Sequence, residues 1–305
     1  MKDMTDSPAV EWRAAGTDLS ERRRSGVSRG PVRDLVPTAE MRGIAKAGGG
    51  LRLGASATIA EIAGDPRIVA GYPGLAVTAG GLATPQIRQV ATLGGNLAQR
   101  TRCWYYRNPE FACLKSGGTS CPAREGNHRY GVAFDLGPCV APHPSSVAAA
   151  LMAYEATVTT DRRAGIGVAA LLGDGSDGSA DNTLQPGETI LHVDLPPAVE
   201  GERAGYRRAI SRSFAEWPLA EVVVRVVVVD GAFRMLRLAA GGVAPVPLRL
   251  TAAEAVGEGA PATPETIAAI AAAACEGANP LPMTGYKIAL LDGLLRDVIE
   301  SCVAG

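Results

Sequence analysis

The 305 residues are 47% hydrophobic, enough to bury the cores of about two domains, and this composition excludes a disordered or collagen-like chain. Thirty Lys and Arg against 31 Asp and Glu leave a net charge of −1, so no global field favours a nucleic-acid backbone or an anionic membrane surface.

The stretch Met1–Val10 is polar and mixed in charge, without the basic flank and apolar run of an export signal, and no later apolar run approaches the ~20 residues of a spanning helix. A cytoplasmic location is expected, export on a partner's signal being the alternative, and no membrane or nucleic-acid partner is expected. Gly48-Gly49-Gly50 precedes a short alternating strand, Leu51–Ala55. A helix follows from Thr58 to Gly64, Asp65-Pro66 restarts helical pattern, and Pro73 divides it. Gly80 to Ala98 reads as loop-rich, and Arg100 to Pro144 carries no sustained period, only many Gly, Pro and Cys. Ser145 or Ser146 caps a helix over Val147–Ala156, and Thr157–Thr160 is a strand. Gly173–Asn182 reads as a flexible surface loop, and a strand over Thr189–Leu195 ends at Pro196-Pro197, the expected domain boundary.

Beyond it, Glu221–Val229 and Ala232–Ala239 flank Asp230-Gly231, a dipeptide suited to the positive φ angles of a type I′ hairpin turn. Thr263-Pro264 opens an alanine-rich helix to Ala278, and Thr284 is read as the cap of a second, from Gly285 to about Cys302. A small antiparallel sheet backed by two helices is expected here.

Two small-residue loops can gather backbone N–H groups into an anion-binding nest: Ala14-Ala15-Gly16-Thr17-Asp18 and Thr92-Leu93-Gly94-Gly95-Asn96. Taken singly, each is more often an ordinary turn. Gly165–Ala170 matches the G-x-G-x-x-A dinucleotide pattern, but only Leu171 and Leu172 remain to form the helix that must follow, so the match is not read as a site. Four of the six cysteines, Cys103, Cys113, Cys121 and Cys139, fall in the irregular segment, and none forms the close C-x2-4-C pair usual in zinc sites. The spacing favours an iron–sulfur cluster, with zinc and unliganded thiols left open; Cys275 and Cys302 read as packing residues. With only His128, His143 and His192, and no G-x-S-x-G, hydrolysis has little support, and His143 between two prolines reads as a loop residue.

The order of these features resembles the FAD-binding subunit of molybdenum hydroxylases, the xanthine dehydrogenase and carbon monoxide dehydrogenase family, and above all its aldehyde oxidoreductase branch with an extra [4Fe-4S] cluster. The stretches that carry the resemblance are AAGTDL (14–19), LRLGASATIAEIAGDP (51–66), TPQIRQVATLGGNLAQRTRCWYYR (84–107), the run from Cys113 through CVAPHPSS (139–146), SRSFAEWPLA (211–220), GGVAPVPLR (241–249) and GYKIALL (285–291). The resemblance implies an α+β protein: a two-subdomain FAD-binding fold of the vanillyl-alcohol-oxidase (PCMH) type, followed by the C-terminal α+β domain of carbon monoxide dehydrogenase flavoproteins. The implied domains are 1–197, with an iron–sulfur insertion at 100–144, and 198–305.

The resemblance also implies that Ala15, Gly16, Thr17, Asp18, Thr92, Gly94, Gly95 and Asn96 grip the FAD pyrophosphate. Ser146 would anchor FAD hydroxyls, Leu191 and Trp217 would lie near the isoalloxazine, and Cys103, Cys113, Cys121 and Cys139 would ligate the cluster. No residue is assigned acid, base or nucleophile duty. The implied complex is a heterotrimer with a small subunit carrying two [2Fe-2S] clusters and a large molybdopterin subunit, in which this chain conveys electrons from the clusters through FAD to an external acceptor. The sequence departs from the family pattern in three places: about a dozen residues precede the first loop, Ala15 replaces the usual glycine, and Ser146 replaces the usual aspartate. A self-sufficient flavin oxidase of the same fold, or an assembly subunit that has lost FAD, are the alternatives.

Overall fold

A computed structural model describes residues 10–213 and 215–305. Met1–Ala9, part of the stretch read for an export signal, lies outside the described residues, as does Phe214 of the SRSFAEWPLA stretch. Among the described residues, three sheets organise the chain. Glu11–Arg13 and Val32–Asp34 pair in parallel beside the first small-residue loop. A five-stranded sheet has the order Ile44–Ala47, Gly50–Gly54, Ile190–Leu195, Thr157–Thr160, Ile166–Gly167, all neighbours antiparallel. A four-stranded antiparallel sheet has the order Leu248–Arg249, Ala232–Gly241, Ala220–Val229, Arg203–Ala209. The mixture is α+β.

The strand Gly50–Gly54 is glycine at both ends because its neighbours leave no room for a side chain. A Cβ on Gly50 would lie 2.0 Å from the Leu195 carbonyl oxygen, and one on Gly54 2.5 Å from Met41 backbone. After it, Thr58 and Glu61 form a reciprocal capping box that opens the helix Ile59–Gly64. Asp65 caps Pro66–Gly71, and Pro73 at the first turn of Pro73–Gly81 ends one helix and starts the next.

The region 80–98, expected to be loop, instead holds two short helices, Pro85–Val90 and Leu93–Leu97. Each is capped by a threonine hydroxyl, Thr84 on Ile87 N–H and Thr92 on Gly95 N–H. Thr284 differs from expectation too: its hydroxyl donates to the Leu281 carbonyl, and Gly285 occupies the cap of Tyr286–Ala304. The Asp230-Gly231 turn takes φ of 51° and 73°, as the hairpin requires.

The valine run of Ala220–Val229 lacks polar alternation because both of its faces are covered. Val222, Val224 and Val226 join the core under Pro264–Cys275 and Tyr286–Ala304, while Val223 joins the core of the N-terminal half. Arg225 shares the parity of Val223 and is therefore driven into that junction. Its guanidinium bonds Glu202 at 2.6 Å and the Ala153 carbonyl at 2.7 Å, and lies 3.9 Å from the Tyr154 ring centroid. Tyr154 donates to Glu202 and accepts from Gly74 N–H, so a buried charge, fully partnered, joins the two halves. Among the described residues no helix is long and apolar enough to cross a membrane.

Candidate functional site

The two small-residue loops meet at one cleft. Ala15, Gly16, Thr17 and Asp18 line it from one side and Thr92, Gly94 and Gly95 from the other, around about 810 Å³ of atom-free space partly continuous with solvent. Gln99, Leu184 and the run Glu188–Ile190 complete the wall, and none of them was singled out from the sequence.

The loops contribute differently. Gly16 takes φ +76°, where a side chain is strained and its Cβ would press on Arg13 and Ser20. Among the described residues, nothing accepts from the N–H groups of Ala15, Gly16, Thr17 or Asp18, so the first loop offers them to a ligand. In the second loop the amides are spent: Gly94 N–H bonds the Ala55 carbonyl at 2.8 Å, Gly95 the Thr92 hydroxyl at 3.2 Å, and Asn96 the Thr92 carbonyl at 2.8 Å. Free amides are thus found in the first loop and not in the second. What the second loop supplies is close approach, since a Cβ on Gly94 would sit 3.0 Å from that of Ala55.

The arginines that line the cleft are already neutralised. Arg13 forms a two-pronged pair with Asp34, and Arg22 bonds Glu11 at 2.8 Å and Asp18 at 3.1 Å. An anionic group here meets main-chain dipoles rather than unpaired cations. Glu188, at the cleft wall, has its carboxyl pulled down to about 2: burial alone would raise it, and Arg163, the Gln185 N–H and the Thr160 hydroxyl overcome that.

Four of the sequence-derived candidates lie outside the cleft lining. Asn96 turns its Oδ1 to the Ser145 hydroxyl at 2.5 Å, tying the loop to the helix Ser146–Ala153, whose cap is Ser145 rather than Ser146. Ser146 is buried near Tyr206 and Glu221, which hydrogen-bond each other at 2.7 Å. Leu191 packs on the N-terminal core with its carbonyl on Ala55 N–H, while its neighbour Ile190 reaches the cleft. Trp217 is half exposed, and the Arg102 guanidinium lies over its ring at 4.4 Å.

The cysteine segment is irregular apart from a 3-10 turn, Leu114–Ser116, and a short helix, Pro122–Glu125. Cys103, Cys113, Cys121 and Cys139 all line one cavity, with Tyr105, Tyr106 and Lys115 among its other walls, around about 260 Å³ of atom-free space partly continuous with solvent. Cys121 and Cys139 act on each other, favouring the anion at Cys121 despite its burial and pushing the Cys139 thiol up; burial raises Cys103. Cys275 and Cys302 instead pack with the C-terminal core. Among the described residues no three His, Cys, Asp or Glu side chains converge closely enough to hold a single metal ion. A mononuclear zinc site needs that convergence, whereas a cubane takes each thiolate on a separate corner.

The loop 173–182, expected to be flexible, closes this cavity's surroundings. A Cβ on Gly178 would meet Leu114 and Pro138 at 2.8 Å, and buried Asp181 forms ion pairs with Lys115 at 3.0 Å and Arg100 at 2.9 Å. Cavity and cleft are also joined directly. Asp18 pairs with Arg102 and Arg107, both at 2.8 Å, and these flank Cys103. Although its burial opposes ionisation, Asp18 is held below the usual carboxylate range by these two arginines and Arg22.

Comparison with known proteins agrees with this geometry. Residues 5–198 match the family described as FAD binding domain in molybdopterin dehydrogenase, and residues 204–302 match the CO dehydrogenase flavoprotein C-terminal domain. The chain belongs to the FAD-binding subunits of the molybdenum hydroxylases, and so to a family of oxidoreductase subunits. It is 34% identical over 266 residues to the Escherichia coli K12 aldehyde oxidoreductase FAD-binding subunit PaoB, covering 84% of this chain and 79% of that one. It is 25% identical to the putative xanthine dehydrogenase FAD-binding subunit XdhB of the same organism, covering 99% and 91%. Its fold matches a solved structure of carbon monoxide dehydrogenase from Hydrogenophaga pseudoflava lacking the Mo-pyranopterin moiety, with TM-score 0.73, 22% identity and coverage of 97% and 90%.

Proposed function

We propose that this chain is the FAD-holding electron-transfer subunit of a heterotrimeric, molybdenum-containing aldehyde/xanthine-type dehydrogenase, with a small [2Fe-2S] subunit and a large molybdopterin subunit as partners in the cytoplasm. Bound FAD would take electrons singly from the partner's clusters and release them in pairs to an external acceptor, and a [4Fe-4S] cluster would add a one-electron store beside it.

The chain's own residues have holding tasks. The free amides of Ala15 to Asp18 bind the pyrophosphate, Thr92, Gly94 and Gly95 let it approach, and Asn96 fixes that loop to Ser145. Ser146, Leu191 and Trp217 stand back from the cleft and would act through the shape of its surroundings. Cys103, Cys113, Cys121 and Cys139 hold the cluster. A domain boundary at Pro196-Pro197 separates residues 1–197, with insertion 100–144, from 198–305.

The observation that carries this reading is Asp18: it stands on the amide-bearing loop and is bonded to both arginines that flank a cluster cysteine, so one unit holds both groups. The test is an absorption spectrum with metal analysis of the purified chain. The expected result is flavin bands over a broad iron–sulfur background, with about four irons per flavin. A protein that stays colourless after reconstitution with iron and flavin, or one that binds zinc instead, overturns it.

A further inference from the structure

Lys115 stands on the turn that begins at Cys113, and it lines the cavity shared by the four cysteines. Its side chain is 5% exposed, which is costly for an ammonium that an apolar residue of the same length could replace as a wall. Its partners are the Ala180 carbonyl and Asp181, whose side chain is 3% exposed and is shared with Arg100. Lys115 and Arg100 divide the Asp181 carboxylate, and the exposed Asp177 carboxylate also feels the Lys115 charge. Arg124, by contrast, is matched by a two-pronged pair with Asp135.

We propose that Lys115 raises the reduction potential of the cluster held by these cysteines, with the Asp181 carboxylate, which it shares with Arg100, offsetting part of that charge. The inference rests on the cluster assigned above. One-electron reduction breaks and forms no bond and needs no proton; it adds one negative charge to a core that its four thiolates already make anionic. A fixed cation in a poorly solvated wall stabilises the reduced form more than the oxidised form.

The test is an anaerobic redox titration of the full chain, with dithionite as reductant, ferricyanide as oxidant and the reduced cluster followed by electron paramagnetic resonance. For Lys115→Met with wild-type iron content, the ratio of reduced to oxidised cluster at the wild-type midpoint is expected to fall about tenfold, or about 59 mV for a one-electron couple. Lys115→Arg keeps the charge and is expected to stay within about twofold of wild type. An unchanged midpoint in Lys115→Met, or an equal shift in both variants, overturns the proposal. Should Lys115→Met lose its iron, Asp181→Asn decides: removal of the carboxylate is expected to raise the midpoint, and no shift or a fall overturns the proposal. A wild-type chain with flavin but no iron overturns the cluster itself and this inference with it.

Discussion

The cleft and the cysteine cavity lie side by side yet are built from opposite materials. Around the cleft the groups offered to a ligand are main-chain N–H, the lining arginines are neutralised, and glycine matters for the space it leaves. Around the cavity the backbone is irregular and the side chains do the work: four thiols, and a buried lysine paired with a carboxylate from the loop 173–182. The contrast predicts different weaknesses. Added bulk should harm the first site, and a change of one functional group should harm the second.

The largest expected effect is in the cavity. In Cys121→Ser the iron content should drop from about four per chain to below about one, while FAD stays bound; metal analysis against flavin absorbance reads both. Loss of flavin in step with iron would break the contrast. Asp18→Asn should show where the two sites join. It strips Arg102 and Arg107 of a shared, largely buried partner, and should lower stability by about 2 kcal/mol in urea unfolding while weakening both FAD and iron retention. Damage to one cofactor alone would mean that the ion pairs do not couple the sites.

A third prediction concerns His143, two residues before the Ser145 that holds Asn96. Burial pushes its imidazole down to about 4, and its Nδ1 accepts the Ser145 N–H at 3.3 Å. The unfolded chain takes up that proton near 6.5, so the contribution is intact above about pH 6.5 and is lost as pH falls toward 4. Between pH 7 and pH 5 the wild type should therefore lose about 2 kcal/mol more stability than His143→Asn. Equal losses would remove His143 from the account.

What could be read from the sequence was what local chemistry writes. The helix opening at Thr58, the Asp230-Gly231 turn and the irregular cysteine segment each declare themselves within a few residues. Thr84-Pro85 carries the same cap-and-proline signal as Thr263-Pro264, but the glycines around it masked two helices. Long-range pairings left no local trace. The Gly/Asp/Ser composition of 173–182 suits a mobile loop, and only the fold brings Asp181 onto Lys115. Strand register was equally hidden: a one-residue step puts Ile190 rather than Leu191 at the cleft. Nor does G-G-N spacing tell that the second loop's amides are consumed at home by Thr92 and Ala55.

The central claim is that the free amides of the first loop hold FAD. A fluorescence titration of FAD into flavin-depleted protein tests it, comparing wild type with Gly16→Val and Ala15→Gly. Valine at φ +76° is strained and its bulk meets Arg13, so binding should weaken about tenfold or more, whereas Ala15 takes an ordinary negative φ and its replacement should change affinity less than about threefold. A Gly16→Val protein that binds FAD as tightly as wild type would contradict the account.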